Sequence, residues 1–150
     1  RCAESHGSII SIEIAERHPQ ITVHNNCLCS YVPMRTIRAG TATDLGENGA
    51  DAYLSKYKKL PDYYISKNQA RKTGWRTWKG NLNEVLPSMM IGGDPYKNGN
   101  RKLPQKSGRV WYEADINYNR GYRNLQRILY SNDGLIFVTY DHYQTYYEIT

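Results

Sequence analysis

The chain has 150 residues, of which 39% are hydrophobic and 23% are charged, and its net charge is +6. A chain of this length can bury a core as one domain, or as a small domain with an extension. Every apolar run is far shorter than the roughly 18 residues of a membrane-spanning helix, which excludes that class of protein.

Charge and tyrosine are concentrated in the second part of the chain. Residues 1–48 carry four basic and five acidic side chains, whereas residues 49–150 carry 16 basic and nine acidic ones and 13 of the 14 tyrosines. A basic, tyrosine-rich segment favours a polyanionic partner such as a nucleic acid. The alternative is that the charge only keeps the domain in solution.

The first part predicts a small β-rich extension over residues 1–48. Ser8–Ile14 and Ile21–His24 have the composition of strands, and residues 39–49 have that of a linker. Because the chain opens with Arg1 rather than methionine, we expect a processed piece of a longer protein.

All three cysteines lie in this extension. They are Cys2, Cys27 and Cys29, a spacing that is poor for a zinc site. Cys2 could form a disulfide with either Cys27 or Cys29, and one thiol would then remain.

Residues 49–150 predict a second domain of the α+β class, with helices first and an antiparallel sheet after them. The first helix, which ends near Leu60, is indicated by apolar residues at helical spacing: Ala50, Tyr53, Leu54 and Tyr57. Two capping residues, Ser66 and Asn81, mark the starts of two more helices. Gly74 is a typical C-terminal stop for the second helix.

The second half of this domain predicts a β-meander. Val110–Tyr118 alternates apolar and polar residues, and a turn at Asn119–Gly121 leads to a strand over Tyr122–Tyr130. A second turn at Asn132–Gly134 leads to the apolar strand Leu135–Val138.

This meander contains side chains that could cleave RNA without a metal ion. Glu113 lies on the first strand, Arg123 and Arg127 lie on the second, and His142 follows the third. A carboxylate can take a proton from a ribose 2′-hydroxyl, a histidine can protonate the departing 5′-oxygen, and arginines can hold the charged phosphate. The alternative is an ordinary cross-strand ion pair between Glu113 and Arg123, with His142 as a plain loop residue.

Seven motifs in residues 49–150 occur in the order in which one protein family has them. They are Leu60–Ile65, Lys79–Leu82, Ile91–Asp94, Ser107–Arg109, Glu113–Tyr118, Arg127–Ser131 and Asp141–Thr145. Together they resemble the barnase-like family of extracellular, guanyl-preferring bacterial ribonucleases. The resemblance implies the microbial ribonuclease fold, in which N-terminal helices pack on an antiparallel sheet.

The resemblance also implies a role for each matching residue. Glu113 would be the general base and His142 the general acid. Three cations would surround the scissile phosphate: Lys67, Arg123 and Arg127. The nucleotide would be bound by six residues: Tyr96, Asn98, Gly99, Asn100, Arg101 and Tyr143. No metal ion and no cofactor are implied.

Four positions depart from the family's pattern. In the guanine-recognition loop, Asn100 stands where the family has an acidic residue, and Gly99 stands where it has arginine. Gly134 replaces a tryptophan, and Lys58 replaces the histidine that packs on it. Because a neutral amide accepts hydrogen bonds more weakly than a carboxylate, we expect guanine preference to weaken rather than vanish.

The sequence therefore predicts an endoribonuclease that cleaves single-stranded RNA to a 2′,3′-cyclic phosphate and then hydrolyses that product. We expect a monomer that is secreted, or the toxin domain of a larger delivered protein. Its basic face favours an acidic, barstar-like inhibitor or immunity protein as a partner. The alternative function is a non-catalytic RNA-binding module.

Overall fold

The computed structural model describes residues 35–150, and the strands and cysteines predicted for residues 1–34 lie outside this range. Within it, the helices are α1 (Ala50–Tyr57), α2 (Lys67–Thr73) and α3 (Leu82–Val85). The strands are β1 (Thr36–Ile37), β2 (Tyr64–Ile65), β3 (Met90–Tyr96), β4 (Trp111–Asp115), β5 (Arg127–Ser131), β6 (Ile136–Thr139) and β7 (Tyr147–Ile149). Two short 3-10 helices span Gly46–Asn48 and Thr77–Lys79.

The strands form one sheet in the order β1-β7-β6-β5-β4-β3-β2. All pairs from β3 to β7 are antiparallel, whereas the two outermost pairs, β1 with β7 and β2 with β3, are parallel. The predicted α+β class, with helices ahead of an antiparallel sheet, is confirmed.

Both faces of the central strands are covered. One face packs against α1 in a cluster that includes Ala50, Leu54, Ala114, Ile128 and Val138. The opposite face carries a second cluster, formed by Leu103, Trp111, Leu129, Phe137 and Tyr146. Because side chains alternate along a strand, Glu113 and Asp115 lie on the same face as Trp111, and Arg127 lies on that of Leu129. The candidate chemistry therefore occupies the sheet face away from α1.

The helices end where local chemistry stops them. Gly74 ends α2 in the left-handed region at φ +114°, as predicted. Lys58 ends α1 with φ +61°, two residues earlier than expected. Asn81 precedes α3, but its side chain accepts a hydrogen bond from the Arg76 backbone N–H at 2.9 Å and does not cap the helix.

The tight turn predicted at Asn119–Gly121 is wrong. Strand β4 ends at Asp115 and β5 begins at Arg127, so residues 116–126 form a longer connection. Its side chains bond within the connection: Asn124 Nδ2 donates to the Ile116 carbonyl at 2.9 Å, and Asn117 Nδ2 donates to Gln126 Oε1 at 2.6 Å. These contacts replace the strand pairing that the alternating sequence predicts.

The segment before α1 is held against the domain by a fully buried carboxylate. Asp51 Oδ2 accepts from the backbone N–H groups of Gly40 at 2.7 Å and Ala42 at 3.0 Å. The Tyr140 hydroxyl donates to the Ala42 carbonyl at 2.6 Å, and β1 lies beside β7. Part of the segment with a linker's composition is therefore packed, and the division of the chain at residue 48 stays a prediction.

We expect Asp51→Ala to lower the free energy of unfolding by about 2–4 kcal/mol, because the N–H groups of Gly40, which is half-buried, and Ala42, which is buried, lose a charged acceptor. Chemical denaturation measures this, and faster hydrogen exchange at Gly40 and Ala42 would locate the effect. Asp44→Ala is the matched control, since Asp44 is an exposed acid in the same segment and its loss should change stability by about 0.5 kcal/mol or less. Equal effects of the two substitutions would contradict this account.

Candidate active site

Glu113 lies at the centre of the site with both carboxylate oxygens engaged. Its side chain is largely buried on β4, where Lys67 Nζ donates to Oε1 at 2.9 Å and the Tyr143 hydroxyl donates to Oε2 at 2.5 Å. These partners come from α2 and from the loop after β6, so three distant parts of the chain meet at one carboxylate. Each oxygen has a second lone pair that can still accept a proton.

The N-terminus of α2 places Lys67 at this carboxylate. Ser66 is extended just before the helix, and its hydroxyl accepts from a first-turn N–H at 3.4 Å, which is the predicted cap. The backbone N–H of Lys67 donates to Asp94 Oδ2 at 3.1 Å. Asp94 is paired with Glu113 in the β3–β4 ladder, beside a register irregularity. Lys67 is thus fixed at both its backbone and its side chain.

These contacts keep Glu113 ionised. Burial alone would raise the pKa of Glu113, but the hydrogen bonds from Tyr143 and Lys67 and the nearby Arg123 guanidinium outweigh burial and lower it below its ordinary value. Burial and the bond to Glu113 together raise the pKa of Tyr143 well above its ordinary value, so its hydroxyl remains a donor. Because the pKa of Glu113 is lowered by folding, its contribution to stability is lost as the pH falls through that pKa.

A second carboxylate, Asp115, holds two arginines. Arg123 makes a two-point contact with it, Nε to Oδ2 at 2.8 Å and Nη2 to Oδ1 at 2.6 Å. Arg127 Nε lies 3.1 Å from Asp115 Oδ1, and its Nη1 donates to the Asn124 carbonyl at 2.6 Å. Asp115 is fully buried and the Arg127 side chain is 5% exposed, so the pairing compensates charge that would otherwise be costly to bury.

His142 is exposed and sits in a strained turn. Both His142 and Tyr143 have left-handed backbones, with φ of +59° and +71°. This conformation costs about 1–2 kcal/mol per residue for side chains of this size. Neighbouring hydrogen bonds hold it: the His142 N–H donates to the Leu125 carbonyl at 3.0 Å, and the Tyr143 N–H donates to Thr139 Oγ1 at 3.0 Å.

Asp141 supports the same turn. Its Oδ1 accepts from Thr139 Oγ1 and from the backbone N–H groups of Gln144 and Thr145 at 2.8–3.1 Å. Burial would raise the pKa of Asp141, but these hydrogen bonds outweigh it and lower the pKa. A side chain held in a strained turn by such contacts is typical of a functional position.

The residues predicted to bind the base form a loop that contacts this turn. Asn98 is buried and braces the loop, since its Nδ2 donates to the Leu103 carbonyl at 2.9 Å and its Oδ1 accepts from the Leu103 N–H at 3.2 Å. Asn100 Nδ2 donates to the Tyr143 carbonyl at 3.2 Å, while its Oδ1 accepts from the Lys102 N–H at 3.2 Å. Both ends of the Asn100 side chain are therefore bonded within the protein.

The other residues predicted to bind the nucleotide lie in this loop or beside it. The rings of Tyr96 and Tyr143 stack with centroids 5.0 Å apart and planes at 11°. A Cβ at Gly99 would meet no heavy atom within 4 Å. The Arg101 N–H donates to the Asn98 carbonyl at 3.0 Å, and the Arg101 side chain is exposed.

The ion pair between Glu113 and Arg123 that the alternative interpretation proposes is not formed, because each side chain has another partner. Arg109, in the same alternating stretch as Glu113, lies away from the site and pairs with Asp133 at 2.8 Å.

The acids that organise the site (Asp94, Asp115 and Asp141) were not predicted from the sequence to be functional. One feature of the sequence indicates such a role: Asp115 lies inside a predicted strand, and an acidic side chain that is buried there requires a cation as partner.

A family model named Ribonuclease matches residues 47–150. The chain belongs to the ribonuclease family. A ribonuclease of Heyndrickxia coagulans is 53% identical over 102 residues, which cover 68% of this chain and 94% of that protein. Ribonucleases of Bacillus intermedius and Bacillus pumilus are also 53% identical over 102 residues, which cover 63% of each of those proteins. As an endoribonuclease, this chain acts on RNA.

Between residues 35 and 150, no helix is long and apolar enough to cross a membrane. No group of three or more His, Cys, Asp or Glu side chains there is arranged to hold a metal ion.

Tyr143→Phe should raise the pKa of Glu113 in this ribonuclease, because the variant removes one of the two hydrogen bonds that favour the ionised carboxylate. NMR titration of the Glu113 side-chain carboxyl measures the change. The matched control is Tyr96→Phe, which removes a hydroxyl that lies 3.2 Å from that of Tyr146 and not at Glu113. A pKa that is the same in wild type and Tyr143→Phe would show that this bond does not set the charge of Glu113.

Proposed function

We propose that Glu113 and His142 are the general base and general acid of a metal-independent transesterification. Glu113 takes the proton of the ribose 2′-hydroxyl, the 2′-oxygen bonds to phosphorus, and the bond from phosphorus to the 5′-oxygen breaks. His142 gives its proton to the departing 5′-oxygen, which leaves a 2′,3′-cyclic phosphate and a free 5′-hydroxyl. Water hydrolyses the cyclic phosphate in a second, slower step.

The observation that carries this proposal is the pair of hydrogen bonds that Lys67 and Tyr143 donate to the Glu113 carboxylate. A general base must be unprotonated at the working pH, and the bonds from Lys67 and Tyr143 favour that state despite burial. Tyr143, which donates to Glu113, directly follows His142 in the chain, so the proposed base is bonded to the turn that carries the proposed acid.

The three cations are proposed to bind the scissile phosphate. Lys67, Arg123 and Arg127 are each held by a carboxylate at 2.6–3.1 Å, so their positions are set before substrate arrives. Charge that develops on the phosphate oxygens is stabilised best by donors that need not reorganise. RNA would therefore meet a preformed cationic surface around Glu113.

Guanine is the proposed base at the loop formed by residues 98–101. Backbone N–H groups of this loop would donate to the guanine O6, and the base would lie near the stacked rings of Tyr96 and Tyr143. The Asn100 side chain already bonds to Lys102 and Tyr143. Its replacement of an acid is therefore proposed to weaken the preference for guanine over adenine.

We further propose that an acidic, barstar-like protein inhibits the enzyme, and that the chain acts as a secreted monomer or as a delivered toxin domain. The basic side chains around Glu113 and the net charge of +7 over residues 49–150 complement an acidic surface. Association with such an inhibitor should slow markedly as salt rises, measured by stopped flow. A rate that is independent of ionic strength would contradict the electrostatic part of this proposal.

His142→Ala should lower kcat/KM on a GpU dinucleotide by roughly 10²–10⁴-fold, because the leaving oxygen loses its proton donor. His142→Asn is the second variant, since asparagine tolerates the left-handed backbone and should keep the turn folded while removing the acid. Cleavage should persist in excess EDTA and should yield the 2′,3′-cyclic phosphate first. Near-normal activity of both variants, or a metal requirement, would overturn the mechanism.

Asn100→Glu should raise the ratio of kcat/KM for GpU to that for ApU by roughly one to two decades. A carboxylate adds a charge-assisted acceptor for the guanine edge, worth about 1.5–3 kcal/mol. Asn100→Gln is the matched control, because it changes the side-chain length without adding charge. An unchanged or lower ratio in Asn100→Glu would show that this side chain does not face the base.

A further inference from the structure

Exposed apolar side chains are concentrated beside the candidate active site. Six large hydrophobic residues are exposed between residues 35 and 150, and three of them form what we call the aromatic lip: Trp78, Tyr122 and Leu125, which are 71%, 67% and 57% exposed. Side chains of this kind usually serve binding when they occur together rather than singly.

Within the aromatic lip, the ring of Tyr122 is held in place although it is exposed. The Tyr122 hydroxyl donates to the Trp78 carbonyl at 3.0 Å. The ring of Tyr122 lies against Gly80, where a Cβ would be 3.0 Å from two ring carbons, so a larger residue there would push the ring aside. An aromatic ring fixed in this way loses little conformational freedom when a ligand binds.

The lip is continuous with the catalytic turn. Arg123, which is paired with Asp115, lies between Tyr122 and Leu125 in the chain. The Leu125 carbonyl accepts from the His142 N–H at 3.0 Å. Three residue steps separate Tyr122 from Leu125, so their Cα atoms are at most about 11 Å apart.

The surroundings of the lip favour a nucleic acid. Two exposed cations flank the rings in the chain. Lys79 directly follows Trp78, and Arg120 lies two residues before Tyr122. Aromatic rings interleaved with cations are the usual means of holding single-stranded nucleic acid, because bases stack on the rings while the cations meet the phosphates.

We propose that Trp78 and Tyr122 form a stacking platform for the second base of the leaving RNA strand. This rests on the proposed function, because the direction of the strand follows from it. The loop proposed for guanine meets the catalytic turn through Asn100 and Tyr143, whereas the lip meets it through Leu125 and His142. Because His142 protonates the departing 5′-oxygen, the strand beyond that oxygen lies on the side of the lip.

Fluorescence tests the platform without any cleavage. The chain has three tryptophans, and Trp75 and Trp111 are each only 2% exposed, so contact with a ligand at the lip is reported by Trp78. A single-stranded oligodeoxynucleotide with guanine near its 5′ end has no 2′-hydroxyl and serves as the probe. Binding should quench the emission in wild type and leave it unchanged in Trp78→Ala. Equal signals in the two proteins would overturn the proposal.

Kinetics tests the direction of the strand. Trp78→Ala and Tyr122→Ala should lower the ratio of kcat/KM for a GpUpU-type substrate, extended on its 3′ side, to that for GpU by roughly 5- to 150-fold. Tyr57→Ala is the matched control, because Tyr57 is 51% exposed beside Lys56 on α1, on the other side of the sheet. It should leave the ratio unchanged.

Each other outcome is decisive. If Trp78→Ala and Tyr122→Ala lowered the ratio only for substrates extended on the 5′ side, the proposed direction of the RNA strand would be overturned. If the ratios were unchanged but the variants bound a protein inhibitor more weakly, the lip would be a protein interface instead. If wild type failed to cleave GpU, the proposed function would fail, while quenching by the oligodeoxynucleotide would still support the platform.

Discussion

One buried carboxylate determines how the cationic side of the site is built. Asp115 is fully buried and carries both Arg123 and Arg127, which come from the connection after β4 and from β5. Two guanidinium groups this close would repel each other, and a buried one would lose its hydration without compensation. The pairing with Asp115 fixes both arginines and ties the connection formed by residues 116–126 to β4.

Acidic side chains also fix the other positions of the site. Asp94 holds the first residue of α2, Glu113 holds the ammonium of Lys67, and Asp141 holds the turn of His142. Each charged or strained group is therefore fixed by an acid, from a neighbouring element at Lys67 and from the same turn at His142. This arrangement places the base, the acid and the cations before RNA binds, which reduces the reorganisation that the reaction requires.

Much of the fold follows from local sequence. Ser66 and Gly74 bound α2 as predicted, and the turn at residues 132–134 leads from β5 to β6, because these features depend on a few adjacent residues. The absence of the hairpin at residues 119–121 could not be foreseen, since it goes with side-chain contacts such as those of Asn124 with Ile116 and of Arg123 with Asp115, which are eight residues apart. Long-range pairing of this kind leaves no periodicity in the sequence.

The candidate site was likewise predictable only in part. Glu113, Arg123, Arg127 and His142 were nominated from their chemistry, whereas Lys67 came only from the family resemblance, because a lysine in the first turn of a helix is usually solvated. The packing of residues 36–44 on Asp51 was also unpredictable, because an acid in an amphipathic helix gives no indication that it is buried.

The pH dependence of kcat/KM for GpU cleavage tests the central claim, that an ionised Glu113 is the base. Since the pKa of Glu113 is lowered, kcat/KM should fall on the acidic side only below the ordinary range of a glutamate. In Glu113→Gln this acidic limb should disappear together with most of the activity. An acidic limb that lies at or above the ordinary range and survives unchanged in Glu113→Gln would contradict the account.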